Sequence, residues 1–282
     1  MSRFNVVNVT SPPVLRAGGA AGTLHHQTDK GLLWTPPTYR SRFYQDAPFS
    51  TSREGATIYA FEIQNRAAQA ASCGLGFRLA NRIWVAGKYD GTTFTDFTAS
   101  AQSPTATVTL GTDASAVVGF AIGCLIPFDW VSVNITTAEV DAGAAVDHGV
   151  QYSNAAGTGL TALGANAALT DDFTLTDTVW TATVKNFVWA KPTDWGISGG
   201  TGITGLANGY YWLHFTTAQI GAGDTAAIAT GMEIGVGKFR EAIADNGIYA
   251  SDFDQIYSPY ADGMIAYFSV ANAGNMVSAL VQ

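Results

Sequence analysis

The sequence predicts an all-β chain, a sandwich or barrel of short antiparallel strands behind an extended N-terminal arm. Glycine is frequent, at 31 of 282 residues, and segments with a 3.6-residue apolar period are scarce. From about residue 55 onward, alternating apolar runs follow one another between turn residues, and roughly ten to twelve of them read as strands. Ahead of them, residues 1–50 hold five of the nine prolines: Pro12, Pro13, Pro36, Pro37 and Pro48. Proline removes a ladder donor and favours extended backbone. The expected organisation is an arm over residues 1–50 and a β body over residues 51–282.

The arm has no period of its own, yet it carries Val14, Leu15, Leu32, Leu33, Trp34, Phe43 and Tyr44. Such a segment becomes ordered only where those side chains are covered, by a partner or by the chain's own body. In the body, "ATIYAFEIQN" puts Thr57, Tyr59, Phe61 and Ile63 on one strand face. "LGFRLANRIWVAGKYD" supplies a further strand or two, ending at an Asp90-Gly91 turn. "TTFTDFTAS" and "TATVTLGTD" alternate Phe, Val and Leu with Thr, and "VVGFAIGCLIPFDWVSVNITTAEV" reads as two strands hinged near Pro127. "VDHGVQYSN" leads into a turn over residues 154–159. "DDFTLTDTVWTATVKNFVWA", "GYYWLHFTT", "AAIATGMEIGVG" and "GMIAYFSVAN" complete the series. The one helical candidate is the short "KFREAIADNG", with Phe239 and Ile243 on a face and Gly247 as a stop. The loop over residues 191–209 is too long for a hairpin, and long ordered loops are functional or packed on a neighbour.

Charged residues make up 13% of the chain, against a usual share of about 25%. Little of the surface is built to stay wet, which calls for unusual compactness or a covering partner. The net charge of −8 is unevenly placed. Residues 1–82 hold nine basic and four acidic side chains, net +5, and the remainder holds five basic and eighteen acidic, net −13. The arginines are dispersed and the acidic body would repel phosphate, which argues against nucleic acid as the partner. The pattern fits a basic leader lying along an acidic protein surface, where the planar Arg fork pairs carboxylates. Arg3, Phe4, Arg16, Trp34, Arg40, Arg42 and Tyr44 are the expected partner-binding residues.

Cys73 and Cys124 are too few for a disulfide framework and lack metal-type spacing, so two buried free thiols are expected. No stretch reaches the ~20 apolar residues of a membrane helix, and the N-terminus lacks a signal-peptide core. Synthesis in a cytoplasm with no membrane partner is the expectation.

The stretch "NGYYWLHFTT", residues 208–217, places Tyr210, Trp212 and His214 on one strand face and Tyr211, Leu213 and Phe215 on the other. The polar-tipped face is a candidate ligand or subunit face, because such rings stack on a sugar, fill a sandwich or meet another chain. Residues 200–205 match G-x-G-x-x-G, but a strand follows where a dinucleotide site needs a helix, so this reads as a packed loop. Gly235-Val236-Gly237-Lys238 lacks the spacing of a phosphate loop. His25, His26, His148 and His214 show no convergent zinc set. Asp171, Asp172 and Asp177, and Asp252 with Asp254, are the best calcium candidates, yet neither group has a complete loop signature, and both read as solvated turn acids. No nucleophile elbow or acid/base pair is identifiable, so no catalytic residue, metal or cofactor is assigned.

Two stretches carry a family resemblance. "QYSNAAGTGLTAL" with "TDTVWTATVKNFVWAKPTDWGISGGTGITGLANGYYWLHFTTA" resembles a jelly-roll-like module of tailed-phage virion proteins, and "RIWVAGKYDGTTFTDFTASAQS" is similar to a stretch of phage head-associated proteins. The similarity covers about residues 75–275 and leaves the arm unmatched. It implies a jelly-roll-like antiparallel β-sandwich and a non-enzymatic role on the capsid exterior. The implied role is a capsid cement or decoration protein, with the major capsid protein and further copies of itself, as a homotrimer, for partners. The alternative is a carbohydrate-binding adsorption module of a head or tail fibre, using the Tyr210, Trp212 and His214 face. A hydrolase would need an acid/base pair that the sequence does not single out.

Overall fold

The computed structural model describes residues 23–28, 31–35, 56–65, 68–103, 105–111, 119–140, 148–164, 168–171, 180–217, 225–251, 256–258, 260–268 and 276–281. In chain order its strands are β1 (Thr23–Thr28), β2 (Gly31–Thr35), β3 (Ala56–Gln64), β4 (Ala71–Leu79), β5 (Trp84–Tyr89), β6 (Phe94–Asp96), β7 (Val108–Thr109), β8 (Gly119–Cys124), β9 (Trp130–Thr137), β10 (His148–Ser153), β11 (Leu160–Ala162), β12 (Ala168–Asp171), β13 (Thr183–Trp189), β14 (Tyr211–Thr217), β15 (Ile228–Ile243), β16 (Ile248–Ser251), β17 (Ile256–Ser258), β18 (Ala261–Phe268) and β19 (Met276–Val281). Helix among the described residues is limited to a 3-10 turn at Asn81–Ile83 and one α turn at Thr98–Ala101. The all-β antiparallel sandwich expected from the sequence is the architecture observed.

The chain divides into two compact units, one running from Asn81 to Glu233 and the other combining residues up to Ala80 with residues from Ile234 onward. The middle unit holds a sheet of order β11-β10-β14-β8-β5-β6. Facing it is a sheet of β12, β13, β9 and the first part of β15, with β7 paired to β15. The two sheets meet through rings. Phe120 of β8 stacks on Phe215 of β14 at 4.7 Å, and Phe187 of β13 meets Phe215 edge-on at 5.3 Å. Ring pairs in these offset and edge geometries add about 0.5–1.5 kcal/mol each beyond the area they bury. All six residues of β8 are buried, so this strand is covered on both faces. That explains why "GFAIGC" reads as a continuous apolar run and not as an alternation.

The other unit holds a sheet of order β1-β2-β19-β3-β16, with β17 also paired to β3. In the same unit β4 is flanked by β18 and by the later residues of β15. Phe61 and Ile63 of β3 and Leu75, Phe77 and Leu79 of β4 are buried there. Asn65, at the end of β3, is fully buried, and its amide lies within 3.0 Å of the carbonyls of Ile243 and Ala244.

Three observations add to or depart from the sequence reading. First, Thr23–Thr28 and Gly31–Thr35, within the expected arm, form the β1–β2 pair, and β2 pairs with β19 of the same chain, with Trp34 opposite Val277, so this part of the arm is ordered against the chain's own body. An apolar segment beside an unpaired strand edge gains a full ladder by adding to it. Second, "KFREAIADNG" is not helical: Lys238–Ile243 continue β15 opposite β4, and Asn246, at φ +54°, turns the chain into β16. Isolated short helices are marginal, and strand pairing overrides their propensity. Third, nineteen strands are described where roughly ten to twelve were expected. The excess comes from pieces of two to four residues such as β6, β7, β11 and β17, too short to show a period, and from β1, β2 and β19.

Candidate functional site

Both faces of β14 are buried, which resolves its doubly aromatic pattern. Leu213 and Phe215 face the opposing sheet. Trp212 and His214 lie on the outer side of their own sheet, yet Trp212 is 0% exposed and His214 2%. The loop over residues 191–209 covers that side. Ile203 and Leu206 from the loop close a small core with Tyr89, Ala121 and Trp212, and Val85, Phe94, Leu160 and Tyr210 pack at its edge. Trp212 is held edge-on to Phe94 at 5.3 Å, and its indole N–H donates to the Ala207 carbonyl at 3.0 Å. Its ring also lies over Gly123, where an added Cβ would come within 2.9 Å of it. The ring is therefore interior, and Tyr210 alone of the three predicted face residues keeps partial exposure.

The residues that anchor this covering loop lie in three segments, at 152–154, 192–195 and 209–212. Tyr152 donates its hydroxyl to Asp194 Oδ1 at 3.0 Å. Ser153 Oγ donates to the Gly196 carbonyl at 2.5 Å and accepts from the Trp195 indole and the Trp212 main-chain N–H, both at 3.1 Å. A hydroxyl has one proton and two lone pairs, and here all three are used. Ser198 Oγ donates to Ala207 O at 2.8 Å and accepts from Tyr210 N at 3.2 Å, folding the loop back on itself. The Tyr-Ser-Asn, Pro-Thr-Asp-Trp and Gly-Tyr-Tyr-Trp segments thus form one hydrogen-bonded unit.

Beside this core lies an open cleft of ≈ 330 Å³. Its floor is Tyr89, Gln151 and His214, and its walls are three turns carrying Asp90 and Gly91, Thr158 to Leu160, and Ile203 with Thr204. The walls are fixed. Asp90 Oδ1 accepts from Thr92 N, Thr92 Oγ1 and Thr93 N at 2.6–2.8 Å, an Asx-type closure of the turn expected at Asp90-Gly91. The Tyr89 hydroxyl lies 2.8 Å from both the Gly91 and the Thr204 carbonyls, so its single proton is shared between two walls. Asn154 Oδ1 accepts from Thr158 N at 3.2 Å, and Asn154 N donates to Gly159 O at 2.9 Å. Hydrogen bonds from the Thr92 side chain first, then from the Thr93 and Thr92 main chain, hold the Asp90 carboxyl below its usual range. Burial pushes the His214 imidazole down to about 4, partly opposed by the Tyr89 main chain. Its Nδ1 lies 3.3 Å from Gln151 Oε1, and its ring meets Tyr89 edge-on at 4.9 Å.

The other predicted residues are dispersed. Arg3, Phe4, Arg16, Arg40, Arg42 and Tyr44 lie outside the described residues, and Trp34 sits in β2. Asp171 ends β12 opposite Phe187, while Asp172, Asp177, Asp252 and Asp254 lie outside the described residues. Among the described residues, no group of three His, Cys, Asp or Glu side chains is placed to hold a metal ion. Cys73 and Cys124 are both buried, as expected, and burial pushes both thiols up to about 12. His148 lies 3.1 Å from Glu139 Oε2 and stacks on Trp180 at 4.4 Å, inside the middle unit. Gly235-Val236-Gly237-Lys238 is strand, within β15. Ser153, Gln151 and Thr158 escaped the sequence reading because small polar residues in or beside a strand carry no pattern.

Fold and site define an antiparallel β-sandwich with a loop-walled polar cleft on one sheet. No family model matches the chain, and no curated protein matches it. Among solved structures it is similar to a chain of the structure of infectious bursal disease virus Gx strain, at 11% identity and a TM-score of 0.18, over 99% of this chain and 81% of that one. A TM-score of that size defines no shared fold.

Proposed function

We propose that the chain is a non-enzymatic virion component, a cement or decoration protein that binds a phage head through its basic leader and through contacts within a homotrimer. The observation that carries this reading is the use made of the motif residues. Tyr152 is bonded to Asp194, Ser153 to Trp195 and Trp212, and Ser198 and Trp212 both to the Ala207 carbonyl, so these residues build scaffold. A module whose signature residues hold a loop onto a sheet suits a mechanical task. The charge division supports it as well, since a leader rich in arginine suits an acidic protein surface.

In this role the partner is the major capsid protein, and the location is the capsid exterior after synthesis in the host cytoplasm. No cofactor, nucleic acid or membrane enters. Each bound leader contributes apolar burial at about 25 cal/mol per Å², and many copies on one symmetric shell resist its expansion through avidity. The carbohydrate-module alternative is weaker in its platform form, because Trp212 is interior and offers no face to a sugar.

Co-sedimentation with phage heads tests the proposal. The full chain binds saturably and raises the temperature at which heads rupture. A variant lacking residues 1–22 and carrying Arg40→Ala, Arg42→Ala and Tyr44→Ala, which keeps β1 and β2, folds and does not bind. Full decoration by that variant overturns the arm mechanism, and a free chain that stays monomeric in sedimentation velocity overturns the trimer.

A further inference from the structure

We propose that the cleft walled by Asp90, Thr158 and Thr204 is a binding site for a neutral sugar unit, separate from the aromatic residues of β14 and independent of the cement reading. The first support is form. At ≈ 330 Å³ the cleft lies at the small end of ligand sites, about 300–1,000 Å³, and matches a mono- or disaccharide. The shared Tyr89 hydroxyl ties the Gly91 wall to the Thr204 wall, the Gly199 N–H donates to the Gly157 carbonyl at 3.1 Å and ties the third turn to the covering loop, and the Asp90 and Asn154 closures fix their own turns. A ligand entering it therefore does not have to order a loop, which lowers the cost of binding.

The second support is chemistry. The three side-chain bonds of Asp90 all converge on Oδ1, which leaves Oδ2 to accept hydroxyl protons. Gln151 Oε1 faces His214, which turns its NH₂ to other acceptors. The Thr158 and Thr204 hydroxyls both donate and accept, and Leu160 and Ile203 offer aliphatic surface for the C–H face of a ring. Mixed donors and acceptors around a small apolar strip match a polyhydroxylated ring.

Other ligand classes fit less well. The only ionised group in the lining is the Asp90 carboxylate, since His214 is held neutral. A negative cleft repels phosphate, sulfate and acidic sugars. One carboxylate is too little for calcium, which takes six to eight oxygens as a rule. Affinity at such an open site is weak.

The test is saturation-transfer NMR of the full chain with methyl glucoside, methyl galactoside, methyl mannoside, N-acetylglucosamine and N-acetylneuraminic acid. At least one neutral sugar receives saturation with a millimolar Kd, and the acidic one does not. Asp90→Asn keeps the Oδ1 acceptor that closes the turn and loses the free carboxylate oxygen, so the chain folds and binding weakens roughly tenfold or more. Thr158→Lys, at an exposed position, places a long side chain in the cleft and abolishes binding. The proposal is overturned if no neutral sugar binds, if only N-acetylneuraminic acid binds, or if both folded variants bind as the parent does.

Discussion

Ser153 Oγ accepts the indole N–H of Trp195 at 3.1 Å, a bond made across 42 residues of sequence. The same oxygen serves Trp212 N and Gly196 O, so one buried hydroxyl fixes where the covering loop leaves the sheet and where β14 begins. Ser153→Ala removes three bonds and leaves buried partners short. The expected loss is about 2–3 kcal/mol, since a buried group deprived of its partner costs its desolvation. Urea unfolding followed by tryptophan fluorescence measures it, and an unchanged midpoint would show that the hydroxyl is not the hub.

Gly157 has φ +67°, and a Cβ there would run into the Ile197 carbonyl of the covering loop. Gly200 has a similar φ of +63° with open space around it. Alanine at position 200 therefore pays only the left-handed backbone cost, about 1–2 kcal/mol. Alanine at 157 adds a collision with backbone and costs roughly twice as much. Comparing the two urea midpoints separates conformational strain from crowding, and equal values would contradict the packing seen here.

Much of this was legible in the sequence, for identifiable reasons. The Asp90-Gly91 turn, the break near Pro127 and the turn after Asn154 were readable because Asp, Gly, Pro and Asn act locally. The burial of Cys73 and Cys124 followed from count and spacing. What was not legible depends on distant partners. "KFREAIADNG" has helical spacing, and only its pairing with Cys73, Gly74 and Leu75 makes it a strand. Likewise β2 is recognisable only beside β19. Whether Trp212 faced a ligand, a core or another chain stayed open in the sequence because the part of the loop that covers it is rich in glycine and meets it with only Ile203 and Leu206. The cleft was invisible for the same reason: Gln151, Thr158 and Thr204 are ordinary polar residues until three turns converge.

His214 makes the middle unit sensitive to acid. Burial holds its imidazole at about 4, against an ordinary value of 6.5. As pH falls below 6.5 the unfolded chain takes up a proton that the folded chain refuses until about 4. Stability therefore decreases across that window, by up to about 3 kcal/mol from this group, and is unaffected above it. His214→Gln removes the site. The stability of the variant relative to the parent should rise steadily as pH is lowered from 6.5 to about 4. Urea titrations at several pH values check this, and a constant difference between the two proteins would mean that His214 protonates without hindrance in the fold.

Trp212→Ala tests what the covering loop is for. The indole is fully buried between Gly123 on one side and Phe94, Ile203 and Leu206 on the other, and it also holds Ala207 by a hydrogen bond. Removing a buried Trp leaves a cavity and costs about 3–5 kcal/mol. Its contacts with Ile203 and Leu206 and its bond to Ala207 go with it, so residues 199–207 should become open to limited proteolysis while the opposing sheet keeps its protection. Tyr210→Ala, at a half-buried position, should cost about 1 kcal/mol and leave the loop closed. A Trp212→Ala protein with parental stability and an uncut loop would mean that the ring is not the peg that holds the loop down, and the scaffold account of the motif would fail with it.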